Sequence, residues 1–335
     1  MSDPKREKVL SVLRVMRGHE APLTSAQVAA ALARAGQDVS ERAVRLYLLD
    51  MDRQGLTQSL GRRQGRVLTE RGRDELQAGQ TLQRVGFLSS RIDEMTFAMT
   101  FDLHRRSGGV VVNVSLADRD ALSSCIDDVC SVFAKGYAMG HLACLLSPGE
   151  RMGDVVVPEG RVGFCTVCSV TVNGVLLKHG VPTHSRFGGL VELDGDRATR
   201  FSEIICYDGT SIDPLEVFIR SGMTDYHGAI SGGVGRIGAS FREFPARSRD
   251  LVQSLCDRMD EIGLGALLAL GMPGQTLMDI PVGDGRVAAV IVGGLNPIAI
   301  LAERGLRVQP RALSGLMEYN RLFRYEELPE RLRNL

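Results

Sequence analysis

Arg186 is the residue most readily given a chemical task. In His184-Ser185-Arg186-Phe187-Gly188-Gly189 it stands beside a hydroxyl and just ahead of two glycines. A guanidinium fork in that setting can grip a carboxylate through two parallel hydrogen bonds. A surface arginine on a loop is the competing reading. Further on, the segment 202–214 (SEIICYDGTSIDP) contains Gly209-Thr210-Ser211, a hydroxyl-rich turn able to cradle an anion. Asp213-Pro214 at its end reads as a turn.

Two other places offer backbone N–H groups to an anion. A hydrophobic strand (VGFCTVC in one, VAAVIVG in the other) runs into the small pair Cys168-Ser169 or Gly293-Gly294, and a short helix follows. Asn296 reads as the N-cap of the second helix with Pro297 at its first position, and Thr171 takes the cap of the first helix at the same offset. Such helix starts favour anions through free N–H groups and the helix dipole. Tight strand–helix packing explains the same small residues without a ligand.

Cys165-x-x-Cys168 suggests a metal or redox pair, but residues three apart on a strand face opposite ways. No second CxxC exists, and the repeat partners Val290 and Gly293 cannot ligate. Both thiols are read as structural, with Cys168 the nearer to any ligand. No Ser/His/Asp set, HExxH, P-loop or GxGxxG motif stands out. No catalytic residue, metal or cofactor is therefore assigned.

The elements that must position these residues come in duplicate. Residues 160–180 (GRVGFCTVCSVTVNGVLLKHG) and 285–305 (GRVAAVIVGGLNPIAILAERG) align without a gap at an offset of 125. A looser match, SGGVVVNVSL at 107–116 against SGGVGRIGASF at 231–241, precedes each copy. VGFLSSRI, GGVVVNVSL and HLACLLSP read as strands, and DRDALSSCIDDVCSVFAKG as one helix. In the second half PLEVFIRSG, GRIGASFREF and GALLALGMP read as strands, and RSRDLVQSLCDRMDEIG as a helix. Each half is then strand, strand, helix, strand, strand, helix, an α+β arrangement with mixed or antiparallel sheets. A crossover connection predicts some parallel pairs.

The first eighty residues differ in kind. Residues 5–18 read as a helix with Val9, Leu10, Val12, Leu13 and Met16 on one face. Thr24 and Gln27 make a capping box that opens a second helix ending at Gly36. Ser40 caps a third, whose Val44, Tyr47, Leu48 and Met51 recur at i, i+3, i+4 and i+7. Leu46 and Leu49 fall off that stripe, as do Arg42 and Arg45. LTQSLGRRQGRVLT reads as a hairpin, LTERGRDEL as a closing helix, and 77–83 as a polar linker. Three helices and a basic hairpin predict a winged helix-turn-helix. Its DNA contacts would be Ser40, Arg42, Arg45, Arg62, Arg63 and Arg66. The expected division is a winged helix over 1–78 and an effector and dimerisation domain over 84–325, with repeats near 84–182 and 215–308.

Bulk composition agrees. Of 335 residues, 44% are hydrophobic and 24% charged, ordinary for a globular chain. Net charge is zero, but residues 1–80 carry 14 Lys+Arg against 10 Asp+Glu, and the rest 26 against 30. The start, MSDPKREKVL, lacks a signal-peptide pattern, no apolar run spans a bilayer, and the seven cysteines form no disulfide framework. A cytoplasmic location without membrane contact is expected.

VGFLSSRIDEMTFAMTFD, VCSVTVNGVLLKHGVP (after Phe164-Cys165-Thr166), SRFGGLVEL, YDGTSIDPLEVFI, SFREFPA and VGGLNPIAILAE fall in one order. In these motifs the chain resembles the NrpR-type nitrogen-regulatory repressors of methanogenic archaea over about 84–320. The resemblance implies a dimeric DNA-binding repressor on a pseudo-palindromic operator, released from DNA when its effector domain binds 2-oxoglutarate. Some members carry two effector domains; this chain carries one, which leaves dimer or tetramer open. The effector residues come from the physical argument alone: Arg186 and Ser185, Cys168, Ser169 and Thr171, Gly209, Thr210 and Ser211, and Gly293, Gly294 and Asn296. Two other classes stay open. One is an enzyme acting on a small carboxylic acid with an accessory winged helix, marked by turnover. The other is a protein-binding adaptor, which salt-dependent, sequence-selective duplex binding would exclude.

Overall fold

The computed structural model describes residues 4–19, 21–37, 39–61, 64–73, 75–76, 87–195 and 197–335. The chain divides into two compact units, Met1–Val85 and Gly86–Leu335.

In the first unit, α1 (Pro4–Arg17), α2 (Ser25–Arg34) and α3 (Glu41–Arg53) precede a hairpin of β1 (Thr57–Gly61) and β2 (Gly65–Leu68). Capping sets the helix starts. The Gln27 N–H donates to Thr24 Oγ1 while the Thr24 N–H donates to Gln27 Oε1, and the Ala43 N–H donates to Ser40 Oγ. Val44, Leu48 and Met51 of α3 are fully buried against Val12, Leu13, Val28 and Leu32. Leu23 exchanges backbone hydrogen bonds with Arg66 and so extends the hairpin by one bridge. Residues 70–73 and 75–76 are helical. This is a winged helix-turn-helix. Arg62, Arg63 and the linker 77–83 lie outside the described residues.

The second unit holds two five-stranded sheets, ordered β13-β3-β7-β4-β14 and β11-β12-β10-β8-β9. The first uses β3 (Gly109–Asp118), β4 (Leu142–Leu146), β7 (Arg161–Val167), β13 (Val308–Glu318) and β14 (Phe323–Arg324). The second uses β8 (His184–Asp194), β9 (Arg197–Cys206), β10 (Gly235–Pro245), β11 (Leu267–Leu270) and β12 (Arg286–Val292). A two-stranded ribbon of β5 (Arg151–Met152) and β6 (Val155–Val156) forms its own small sheet and packs against β13. All neighbouring pairs in the two large sheets are antiparallel, which corrects the parallel pairing expected from a crossover. The crossover helix instead joins β3 to β4 across the intervening β7, a split βαβ that pairs neither with the other.

The halves trade a strand. In each sheet the strand beside β3 or β10 should follow the second helix of the same half. Instead β8, which follows helix Val170–Lys178 of the first half, pairs with β10 of the second. Likewise β13, which follows helix Asn296–Glu303 of the second half, pairs with β3 of the first. Helix packing repeats the reciprocity. Ile126–Ala134 packs on Asn296–Glu303, and Val170–Lys178 on Arg249–Glu261. One hydrophobic core runs through both halves.

Four local expectations need correction. VGFLSSRI enters helix Phe87–Ala98, whose Leu88 and Ile92 are buried one turn apart; a short apolar run does not separate strand from helix. PLEVFIRSG is helix Pro214–Arg220, because Asp213 is its N-cap and Pro214 its first residue, not a turn. The stretch 118–136 is two helices, Arg119–Ser124 and Ile126–Ala134, broken at Cys125. The SGG match is not the structural equivalence. Val112 lies opposite Val167 and Ala239 opposite Val292, an offset of 127 rather than 124 for β3 and β10.

The two small-residue turns abut. A Cβ on Gly294 would stand 2.2 Å from the Val167 carbonyl oxygen and 3.1 Å from Cys168 Cα. Backbone cannot yield as a flexible side chain does, so Gly294→Ala should lower the unfolding free energy by about 1–3 kcal/mol. Gly283→Ala, with open space around it, should stay within about 0.5 kcal/mol. Urea denaturation of both variants compares them.

Candidate functional site

Where the halves interlock, β10 presents Arg242. Its side chain is buried, 1% exposed, in the middle of the second sheet. Nη1 donates to the Ser169 carbonyl at 2.7 Å and to Asn173 Oδ1 at 2.6 Å, and Nη2 donates to Ser169 Oγ at 2.8 Å. Asn173 passes the contact on, its Nδ2 donating to Ser185 Oγ at 3.1 Å. Ser169 is the N-cap of helix Val170–Lys178, and its hydroxyl makes no cap bond. The guanidinium thus joins a helix start of one half to a strand of the other.

The electrostatics are unusual. Among the described residues no carboxylate pairs with Arg242, and its buried Nε has no partner. Burial holds its pKa below the usual arginine value. The groups its charge acts on are Tyr207, Cys168 and Cys256. Burial pushes the Cys168 thiol up to about 12 and Cys256 up to about 11, and raises the Tyr207 phenol as well. All three are therefore neutral near pH 7 and supply no countercharge. A buried charge without a counterion costs several kcal/mol, of the order of a broken buried pair.

The loop after β9 closes the site. Tyr207 is buried and hydrogen-bonds Ser240. A Cβ on Gly188 would come within 3.1 Å of the Tyr207 hydroxyl and 2.9 Å of Pro214, so this glycine serves close approach. Asp213 accepts the Leu215 N–H at 2.9 Å. The residue keeps part of its surface at solvent, yet burial of the carboxyl group, then the charge of Glu216, pushes it up to about 7.

The sequence-predicted residues divide among several places. Cys168, Ser169 and Ser185 gather around Arg242. Gly209, Thr210 and Ser211 lie on the loop between Tyr207 and Asp213, where Thr210 Oγ1 is occupied by the Ile212 backbone. Thr171 is not the helix cap. It lies in the first turn and exchanges hydrogen bonds with the Val111 backbone. Asn296 is likewise the first helical residue after an N-cap at Leu295. Its Nδ2 donates to the Tyr137 and Gly238 carbonyls at 2.8 Å, and its Oδ1 is buried without a partner. Gly293 packs under Leu215 and against Gly238.

Arg186 lies on strand β8 rather than a loop, at the irregularity where Phe241 faces Phe187 and Arg242 faces Ser185. It sits over the Phe241 ring, and Nη1 donates to Glu243 Oε1 at 2.7 Å and to the Pro281 carbonyl at 2.9 Å. Glu243 and Arg242 alternate on β10, so the two arginines belong to opposite faces of the sheet. A surface groove of about 330 Å³ runs past Arg186, His184, Ile204 and Pro281. Arg242, Asn173, Tyr207 and Ser240 were missed by sequence reasoning. The available signal was an arginine between two phenylalanines in the strand SFREF.

In the first unit Arg42 and Arg45 are exposed on α3, with Arg45 paired to Glu41 at 2.7 Å. Leu46, 62% exposed, and Leu49 share that outer face. Ser40 Oγ is engaged by its cap. Arg66 is mostly buried, its Nε donating to Asp52 Oδ2 at 2.8 Å, which ties the wing to α3.

A winged-helix module followed by an interlocked, duplicated α+β unit with a buried cationic site defines the class. Residues 85–324 match the model of the NrpR regulatory domains NRD1 and 2, and residues 10–76 match the Ribonuclease R winged-helix domain. The Global nitrogen regulator NrpRI of Methanosarcina mazei is 32% identical over 320 residues, covering 95% of this chain and 98% of that protein. The Global nitrogen regulator NrpR of Methanocaldococcus jannaschii is 31% identical over 330 residues, 98% of this chain but 57% of the relative. A crystal structure of a nitrogen repressor-like protein from Methanococcus jannaschii superposes with a TM-score of 0.60 at 25% identity, over 70% of this chain and 97% of that one. The chain belongs to the NrpR family.

Asp213 gives the site a pH signature. Its folded pKa of about 7 exceeds the usual 3.8, so between those values the folded state binds more protons than the unfolded state. This group therefore makes stability fall as pH rises from about 4 to about 7. Asp213→Asn keeps the cap and should flatten that slope. Urea midpoints across the window test this, and an unchanged slope would refute a buried acid.

Proposed function

We propose that this chain is a DNA-binding transcriptional regulator of nitrogen metabolism whose second unit senses a small dicarboxylate. 2-Oxoglutarate is the first candidate, and its binding releases operator DNA. The observation that carries the effector reading is Arg242: a buried guanidinium held by neutral groups, with its Nε unpartnered. A carboxylate is the counterion that such a group binds best. Ser169, Ser185 and the Cys168 end of β7 border the position, and the Gly209–Ser211 turn follows Tyr207, whose phenol is among the groups that the Arg242 charge acts on. Because Arg242 bridges the halves, a ligand there would favour one relation between them. Coupling of this sort is typically about 1–3 kcal/mol.

The regulator reading draws on the names of the relatives and on the winged helix. We place the protein in the cytoplasm as a homodimer, with two α3 helices reading half-sites about one DNA turn apart. Arg42 and Arg45 would reach bases or phosphates, and Arg62 and Arg63, between β1 and β2 in sequence, would add phosphate contacts. A second effector reading keeps the carboxylate clamp at Arg186 in its groove, where the Glu243 pair would have to open.

Calorimetric titration with 2-oxoglutarate, with succinate and glutamate as controls, tests the proposal. Selective binding is expected. Arg242→Gln should weaken it about 10–100-fold, the loss of one or two charged hydrogen bonds, with Arg242→Lys intermediate. Arg186→Ala should bind normally. If the two variants behave the other way round, the clamp is at Arg186; if no dicarboxylate binds, the effector proposal falls. In duplex-binding titrations Arg45→Ala should lower affinity and reduce the salt slope by about one.

A further inference from the structure

The CxxC motif turns out to hold one half of a different pair. Cys165 on β7 lies directly opposite Cys144 on β4. Residues so placed on antiparallel strands have Cβ atoms about 4.5–5.5 Å apart, close to the span that a disulfide bridges after a small adjustment. Both residues are reduced and buried, and their thiols share a hydrogen bond.

The setting separates them chemically. Cys144, but not Cys165, lines a surface groove of about 430 Å³ together with Arg321, Phe323, Arg331 and the last residues of the chain. The hydrogen bond from Cys165 holds the Cys144 thiol below the usual thiol value. Burial opposes that, the Arg321 guanidinium adds to it, and the charge of Glu150 opposes it more weakly. The same shared hydrogen bond, then burial, pushes Cys165 up. Cys130, pushed to about 11, and Cys168, pushed to about 12, are poor nucleophiles by comparison. A thiol held below its usual value at the wall of a surface groove, beside a resolving thiol, is the arrangement of a redox-sensitive pair.

We propose that Cys144 and Cys165 form a redox-modifiable pair, in which a peroxide entering the C-terminal groove oxidises Cys144 and Cys165 closes a disulfide across β4 and β7. In the first step the Cys144 thiolate attacks one oxygen of hydrogen peroxide and the O–O bond breaks. Cys144 becomes a sulfenic acid, and the departing hydroxide takes up the thiol proton as water. Cys165 sulfur then attacks the Cys144 sulfur. The S–O bond breaks, and the oxygen leaves with the Cys165 proton as a second water. Two thiols are oxidised and one peroxide is reduced.

The test uses the full chain, treated briefly with hydrogen peroxide, blocked with N-ethylmaleimide and digested without reductant. Mass spectrometry should find the Cys144 and Cys165 peptides joined, with dithiothreitol restoring both thiols. Cys165→Ser should accumulate a sulfenic acid on Cys144 that dimedone traps, whereas Cys144→Ser should leave Cys165 reduced. Arg321→Ala should slow oxidation several-fold. The proposal is overturned if the exposed Cys206 is oxidised while Cys144 stays reduced. It is equally overturned if the linked peptide forms only after urea unfolding, or if Cys144→Ser does not protect Cys165.

Discussion

Two strand pairings hold the second unit in its shape: β8 against β10, and β13 against β3. Each joins a strand from one half to the sheet of the other. Neither sheet can complete its ladder without its partner half, and backbone groups left unpaired in such a buried setting cost more than a hydrogen bond returns. The halves therefore fold as one cooperative body with one core, despite their visible duplication. The tight seam at Gly294, where one turn meets the Val167 carbonyl of the other, follows from the same interlock.

The interlock also explains how an arginine comes to be buried. Arg242 reaches from the second sheet to the start of a first-half helix and makes three short hydrogen bonds there. Those bonds satisfy its Nη atoms but provide no negative charge. Phenol and thiols nearby are kept neutral by burial. On the proposed reading, a carboxylate would supply the missing charge at the place where the halves touch. A bound anion would then act on the relation between the halves rather than on one loop.

The first unit uses its arginines unevenly. Arg66 is consumed in holding the wing to Asp52, while Arg42 and Arg45 stay at the surface of α3. The surface stripe that carries them also exposes Leu46 and Leu49. On a groove-reading helix, apolar groups of this kind meet thymine methyl groups. The doubled apolar character of α3, ambiguous in sequence, is thus an inner stripe for the core and an exposed outer stripe, which on the proposed reading would face DNA.

Local chemistry was legible in the sequence. The capping box at Thr24 and Gln27, the cap at Ser40, the core stripe of α3, the strands β3, β7, β10 and β12 and the gap-free repeat all follow from side-chain periodicity and short-range hydrogen bonding. Misreadings fell on short apolar stretches, 85–92 and 214–222, where a few residues fit either period. Caps were misplaced by one or two residues at Thr171 and Asn296, because the Thr171 hydroxyl bonds the backbone of the neighbouring strand β3 and the Asn296 amide bonds the Tyr137 carbonyl of the other half, rather than their own helices. The site was legible only in part. On the proposed reading, Ser169 was flagged by its small-residue turn and Ser185 by its place beside Arg186, but Arg242 meets Asn173 across 69 positions of chain. By itself the sequence determined most of the elements within each repeat, the duplication and the family, since these rest on neighbours a few residues apart. Tertiary structure alone decided which half completes each sheet, which arginine is buried and which cysteines face each other, because those depend on surfaces that meet only after the chain has closed on itself.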